Sequence, residues 1–559
     1  MKKNNLIFIV SLFLLSISTG LTAYSGGDGT ESNPYQIATL TDLQELSNTQ
    51  EDWVSGLYFS QTANIDASDT QNWNEGQGFS PIGDYLNDDS SRRFYGNYSG
   101  NGYTISNLYI NRPSSDYQGL FGKTNEATIE NLGLVDVNIT GSIYVGGIVG
   151  VNSYSTVSNS YSTGMVIGSS WVGGLFGHNH ASSVSNSYST ASVTGPGWYA
   201  GGIAGMSSAS SSISNSYSTA SVNGLDYVGG LVGLNRDSTI INSYSTASVN
   251  GTGWYAGGLA GMNSFSSSIS NSHSTANVDG FEYVGGLVGL NRDSTIIYCY
   301  STESVSGTNI VAGLVGINEW NSLISNCYSK ASITATGHDI GGLVGQNNSS
   351  TISNCYSAGS VTTAGDYVGG LVGYNFSSTV SNSFWDIETS GIAASVGGTG
   401  KTTNEMLNVA TYTSLSSNGL NTPWDFLGNP FDDTGNEDYW DIEPALNDGY
   451  PFFANPPTSI VENVVPEFSG KLFNYPNPFN PTTTIEFSLP SDSEVTISIY
   501  NLKGQKLKTI INQSLPKGKH QTLWNGIDNR DKPVSSGVYF YKLDIDGKTK
   551  GMKKMLLLK

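Results

Sequence analysis

The sequence predicts an all-β protein: a parallel β-solenoid (β-helix) of about ten 28-residue coils, followed by a small C-terminal immunoglobulin-like β-sandwich. Three observations carry this expectation. A glycine motif of the form GGLVG recurs ten times, starting at Gln118, Gly146, Gly173, Gly201, Gly229, Gly257, Gly285, Ala312, Gly341 and Gly369, in steps of 27 to 29 residues. A fixed period of this size marks a stacked array, because one unit cannot bury its apolar face alone and stacked units can. Composition selects strands over helices: the chain holds 68 Gly and only 12% charged residues, and its units are rich in Ser, Asn and Val. From Lys471 onward the pattern changes to alternating apolar and polar runs between Gly, Asp and Pro turns.

Taken in order, the first 23 residues carry Lys2 and Lys3, an apolar run from Leu6 to Ile17 and a small-residue exit at LTA, the plan of a secretory signal peptide cleaved after Ala23. No later stretch is long enough to span a membrane as a helix. Residues 24–117 form an entry or capping region. Residues 118–400 are the solenoid. Each unit offers about three strands, such as YVGGLVG from Tyr227, then a turn around Asn235 (Asn291 in the copy 56 residues on), then STIINSYS, then ASVNG. In-register stacking at about 4.8 Å per coil gives a rod of roughly 48 Å. It also turns recurring residues into ladders: Asn159, Asn186, Asn215 and Asn242 can chain their amides, and Tyr161, Tyr188, Tyr217 and Tyr244 can stack. Residues 401–458 form an exit region and 459–470 a Pro-containing linker. In the terminal segment, 471–559, Phe473, Tyr475, Phe479, Ile497, Ile499, Trp524, Tyr539 and Tyr541 are candidates for the sandwich core.

The formal charge of -21 is uneven: residues 471–559 carry a surplus of 7 positive charges and the remainder a deficit of 28. No Lys/Arg stripe runs through the repeats, so nucleic acid is excluded as a partner.

Several residues invite a chemical role. SVGGTGKTT from Ser395 lacks the first glycine of a phosphate-binding loop. Cys299, Cys327 and Cys355 stand one period apart and read as a buried thiol ladder. His178 and His180 lack a third ligand and read as a surface turn; no metal and no cofactor is expected. Asp226, Asp237, Asp279, Glu282 and Asp293 read as scattered turn acids, with Arg236 and Arg292 neutralising Asp237 and Asp293. The column Tyr144, Trp171, Tyr199, Tyr227, Tyr255, Tyr283 and Tyr367 is assigned to the core, whereas Trp198 and Trp254 beside it are assigned to the surface as ligand-contact aromatics.

With GGLVG, SNCYS and ASV in step from Gln118 to about Gly400, this region resembles the GLUG-motif repeats of bacterial surface proteins. The resemblance implies a secreted, adhesin-like rod without an active site. The end of the chain, through NYPNPFNPTT, YNLKGQ, SGVYFYKL and KKMLLLK, resembles the C-terminal sorting domain of type IX secretion substrates. That resemblance implies recognition of residues 471–559 by the type IX secretion machinery and a final place outside the cell or on its surface. The expected function is therefore non-catalytic binding of glycan, matrix or neighbouring cells. The alternative is a β-helix polysaccharide lyase or hydrolase whose site lies in the entry region, among Trp53, Asp66, Asp69, Asp84, Asp88 and Asp89.

Overall fold

A computed structural model describes residues 24–84, 89–415, 420–427, 439–454, 472–475, 479–489, 492–501, 506–530, 532–545 and 548–557. The expected signal peptide, the linker 459–470 and Asp88 lie outside the described residues. The chain divides into two compact units, Met1–Thr458 and Ser459–Lys559.

The first unit is a parallel β-solenoid. Three sheets run along it, and every pairing within them joins a strand to its equivalent one coil away. The coil that contains Val232 shows the plan: strand Val232–Arg236 in one sheet, Thr239–Ile241 in a second, and Tyr244–Ser245 and Val249–Gly257 in a third. Among the described residues the sheet of short strands has thirteen members, from Tyr35–Ile37 to Thr379–Ser381, and the glycine-motif sheet has ten. The stack thus begins inside the entry region, and ten motifs undercount it.

From Asn97–Ser99 to Thr351–Ser353, each three-residue strand of this sheet buries its central residue and leaves the two flanking ones less buried. Ile213, Ile240, Ile269, Ile296 and Ile324 succeed one another in register, all with no exposed surface. Full burial of such a side chain contributes about 1.5–3 kcal/mol, and β-branching suits the pleat. The glycine pair sits at the tightest corner. A Cβ on Gly229 would lie 2.0 Å from the carbonyl oxygen of Val232, and one on Gly230 2.2 Å from that of Gly258. Close approach of coil to coil, and not an unusual φ, therefore demands glycine here.

The turns differ from the sequence expectation. Asn235 and Asn291 are strand residues with no exposed surface, and the turn follows at Asp237 and Asp293, with φ of 46° and 47°. The expected strand STIINSYS is interrupted at Asn242, where φ is 50°. The same left-handed conformation recurs at Asn159, Asn186, Asn215, Asn271, Asn326, Asn354 and Asn382. Asn tolerates this region far better than most residues.

Both ends of the solenoid are covered. At the entry end, helix Leu40–Asn48 starts from a capping box between Thr39 and Asp42 and buries Leu43 and Leu46 in the solenoid core. At the exit end, Trp385, Ile387 and Ile392 pack on the solenoid core, and residues of 403–454 form, against the outward ring column of Tyr328, Tyr356 and Phe384, a separate aromatic cluster around Tyr412, Trp424, Trp440 and Phe453.

The second unit comprises two antiparallel sheets. One orders Leu472–Tyr475, Thr483–Leu489 and Gly518–Trp524; the other orders Lys506–Leu515, Ser493–Asn501, Gly537–Ile545 and Lys548–Leu557. They share one core that contains Phe479, Ile497, Ile499, Trp524, Tyr539 and Tyr541. The side chains of Phe473 and Tyr475 lie outside the described residues.

Candidate functional site

In-register stacking makes every outward position a column, and three columns carry chemistry. The first is the tyrosine stack. Tyr161, Tyr188, Tyr217, Tyr244, His273, Tyr300, Tyr328 and Tyr356 lie ring on ring, with centroids 4.6–5.1 Å apart and planes within 6° of parallel. Burial in the stack lowers the His273 imidazole from the usual 6.5 to about 4. The exit cluster covers the last rungs. Phe453 lies 5.5 Å from Tyr328, Tyr356 donates from its hydroxyl to the Pro451 carbonyl, and Lys330 pairs with Asp448 at 2.5 Å.

The second column is the one assigned to the core, and the structure corrects that assignment. Tyr144, Trp171, Tyr199, Tyr227, Tyr255 and Tyr283 are half-buried, and Tyr367 is exposed. All have φ between 52° and 64°. A left-handed residue breaks the alternation of a strand, so Tyr227 faces out although Val228, Leu231 and Val232 are all buried. Neighbouring rings of this column stand 4.8–5.2 Å apart up to Tyr283. They roof a small outer cluster of Leu234, Met262, Leu290, Ile310 and Ile317. His178 belongs to the same row as Leu234, inside strand Phe176–His180 and not in a surface turn. Its Nε2 lies 2.8 Å from the Ser208 hydroxyl, and burial, with His180 and Lys123 nearby, pushes its imidazole down to about 3.

The third column contains Trp198 and Trp254. Register places Trp198 against Asp226 in the next coil and Trp254 against Glu282, so tryptophan and carboxylate alternate up the column. Trp198 is 52% and Trp254 51% exposed, and the residues just before the two acids, Leu225 and Phe281, are 40% and 49% exposed. The backbone N–H of Trp254 donates to Asp226 Oδ1 at 2.7 Å, which fixes that carboxylate against the backbone of the next coil. Two coils separate the indoles, about 10 Å. Asp226 and Glu282 are therefore strand residues and not scattered turn acids. Their signal was the 56-residue duplication, GWYAGG at Gly197 and Gly253 alternating with LDYVGG and FEYVGG.

The remaining candidates have structural partners. Arg292 pairs with Glu319 of the next coil and lies over Trp320, and Arg236 lies over Phe265, so neither neutralises its neighbouring Asp as expected. Gly400 and Lys401 belong to a solenoid strand paired with Phe384–Asp386. Cys299, Cys327 and Cys355 are fully buried free thiols, and burial pushes the Cys299 and Cys355 thiols up. In the entry region Trp53 is buried with its indole N–H on the Leu46 carbonyl, Asp84 pairs with Arg92, Asp66 accepts from Asn107, Asp89 caps a short helix, and Asp69 is exposed. Among the described residues no His, Cys, Asp and Glu cluster could hold a metal ion, and no helix is long and apolar enough to cross a membrane.

Comparison with known proteins agrees with the two-part plan. A family model described as the GLUG motif matches residues 141–167, 224–250, 282–306 and 336–362, and one described as a secretion system C-terminal sorting domain matches 474–558. Halomucin of Haloquadratum walsbyi is 40% identical over 151 residues, 26% of this chain and 2% of that protein. A protein of Evansella cellulosilytica, provisionally named a Gly-rich membrane protein, is 33% identical over 159 residues, 28% of this chain and 17% of that one. The chain thus spans only a small part of these curated relatives. A crystal structure from Bacteroides ovatus, provisionally titled an immunoglobulin A1 protease, aligns over 77% of this chain and 95% of its own with TM-score 0.35 and 18% identity. The chain carries GLUG-motif repeats on its β-solenoid and ends in a type IX secretion C-terminal sorting domain.

Proposed function

We propose that this is a non-catalytic, secreted or cell-surface protein that binds glycan through its outward aromatic columns. A signal peptide takes it to the periplasm, and the type IX machinery, reading residues 471–559, takes it outward. The observation that supports this reading best is the column of Trp198, Asp226, Trp254 and Glu282, in which half-exposed indoles alternate with carboxylates. Indole faces stack on the C–H face of sugar rings, and carboxylates accept from hydroxyl groups.

The test is binding of the purified protein to glycan arrays and extracellular matrix, with Trp198→Ala and Trp254→Ala combined. Unchanged binding removes the column from the function. Polysaccharide turnover that disappears with Asp66→Asn or Asp84→Asn would replace the binding reading with the enzyme.

A further inference from the structure

The two ends of the tyrosine stack are built differently. At the exit end, Phe384 takes the rung after Tyr356, and Trp424 and Tyr450 lie against Tyr356. At the entry end, the rung before Tyr161 is Gly133, and the rung before that is Thr104. A glycine stands where every later coil carries a ring, and the Tyr161 ring lies against it, with open space beside the pair. That space is an open cavity of about 430 Å³, lined by Asn101, Gly102, Asn131, Gly133, Asn159 and Tyr161. That volume is within the range of small-molecule sites. Tyr161 leans toward the space: a Cβ on Gly133 would meet its Cζ and Oη at 2.7 Å.

The amides of the neighbouring column end at the same place. Asn159 donates from Nδ2 to Asn131 Oδ1 at 3.2 Å, so the chain of amides passes its donors toward the entry end. It stops at Asn131: Asn101 Oδ1 accepts from Ser99, and the Asn101 amide N–H groups go to Ser60 and Gln61. Among the described residues Asn131 Nδ2 has no acceptor and Asn159 Oδ1 no donor. The cavity therefore offers an aromatic ring, one amide donor and one amide acceptor, with no charged side chain in its lining.

We infer that this cavity is a subsite for one neutral hexopyranose unit of a glycan. The apolar face of the sugar lies on Tyr161, and vicinal hydroxyls bridge Asn131 and Asn159. A uronic or sialic acid finds no cation here. This subsite rests on the glycan-binding reading but uses neither Trp198 nor Trp254.

The experiment is calorimetric titration of the full chain with neutral gluco-, galacto- and manno-oligosaccharides, with an oligogalacturonide as charged control. A neutral series is expected to bind, and Tyr161→Ala is expected to weaken it roughly tenfold or more through loss of the ring contact. Gly133→Tyr, which adds one more rung of the kind found in later coils, should do the same by filling the space. Asn131→Ala keeps the test decisive should the added ring disturb the fold, which circular dichroism reports. Neutral-sugar binding that survives all three substitutions but is lost in the Trp198→Ala, Trp254→Ala double variant overturns the subsite and leaves the glycan reading standing. Tighter binding of the oligogalacturonide, abolished by Tyr161→Ala, overturns the assignment of a neutral sugar. Absence of any saccharide binding by the parent protein overturns both.

Discussion

Two columns of asparagine climb the same solenoid at the same period and do different work. One consists of Asn152, Asn179, Asn235, Asn263, Asn291, Asn318 and Asn347, all without exposed surface. From Asn235 to Asn375 each of its amides donates to the next at 2.8–2.9 Å. The other consists of Asn159, Asn186, Asn215, Asn242 and their successors, which hold the left-handed turn. Only three of its amide links are formed, at 3.1–3.2 Å. The first column is kept for its side chain and the second for its backbone. Identity and spacing alone do not separate the two roles; burial and φ do.

Substitutions can break this contrast in order of size. Asn263→Leu should cost about 3 kcal/mol, since it takes an acceptor from Asn235 and strands the buried Asn291 carbonyl oxygen; urea unfolding of the solenoid measures it. Asn242→Val should cost about 1–2 kcal/mol by forcing a β-branched residue into the left-handed region, whereas Asn242→Gly should fall within about 0.5 kcal/mol of the parent. An Asn242→Gly variant as damaged as Asn242→Val would show that the amide, and not the backbone, matters there.

The His273 rung sharpens the same point with pH. Its imidazole titrates near 6.5 when unfolded and about 4 in the stack, so the unfolded state binds more protons between these values. The stabilisation is complete above about pH 6.5, falls as pH drops toward 4, and changes little further below that. His273→Tyr, the residue of the neighbouring rungs, should reduce the loss in melting temperature between pH 7 and pH 4. The smallest effect belongs to the exposed third column: Trp198→Ala and Trp254→Ala should each leave stability within about 0.5 kcal/mol while acting on binding.

The stacked, parallel, in-register architecture was legible because ten motifs at one period admit few alternatives, and the tyrosine stack followed from that register. What escaped did so for local reasons. The buried amide ladder reads as a turn because Asn favours turns, and only the fold reveals that Asn235 lies inside a strand and that the turn begins after Arg236. Alternation along the strand does not give the facing of Tyr227 and its equivalents, because it fails across a residue of positive φ. Asp226 and Glu282 looked scattered because the alternation that matters has a two-coil period. The exit cluster joins residues about a hundred positions apart, such as Lys330 and Asp448, and no local pattern announces such a contact.

The helix Leu40–Asn48 at one terminus of the stack and the segment of Trp385, Ile387 and Ile392 at the other have a consequence for assembly. A sheet that adds layers by backbone pairing has no intrinsic reason to stop, and an open edge recruits the next chain as readily as the next coil. With the chain's own segments packed over the core of both terminal layers, growth of the stack is hindered, and the number of layers is written in the gene and not set by concentration. Removing either plug should convert a discrete particle into a fibre former.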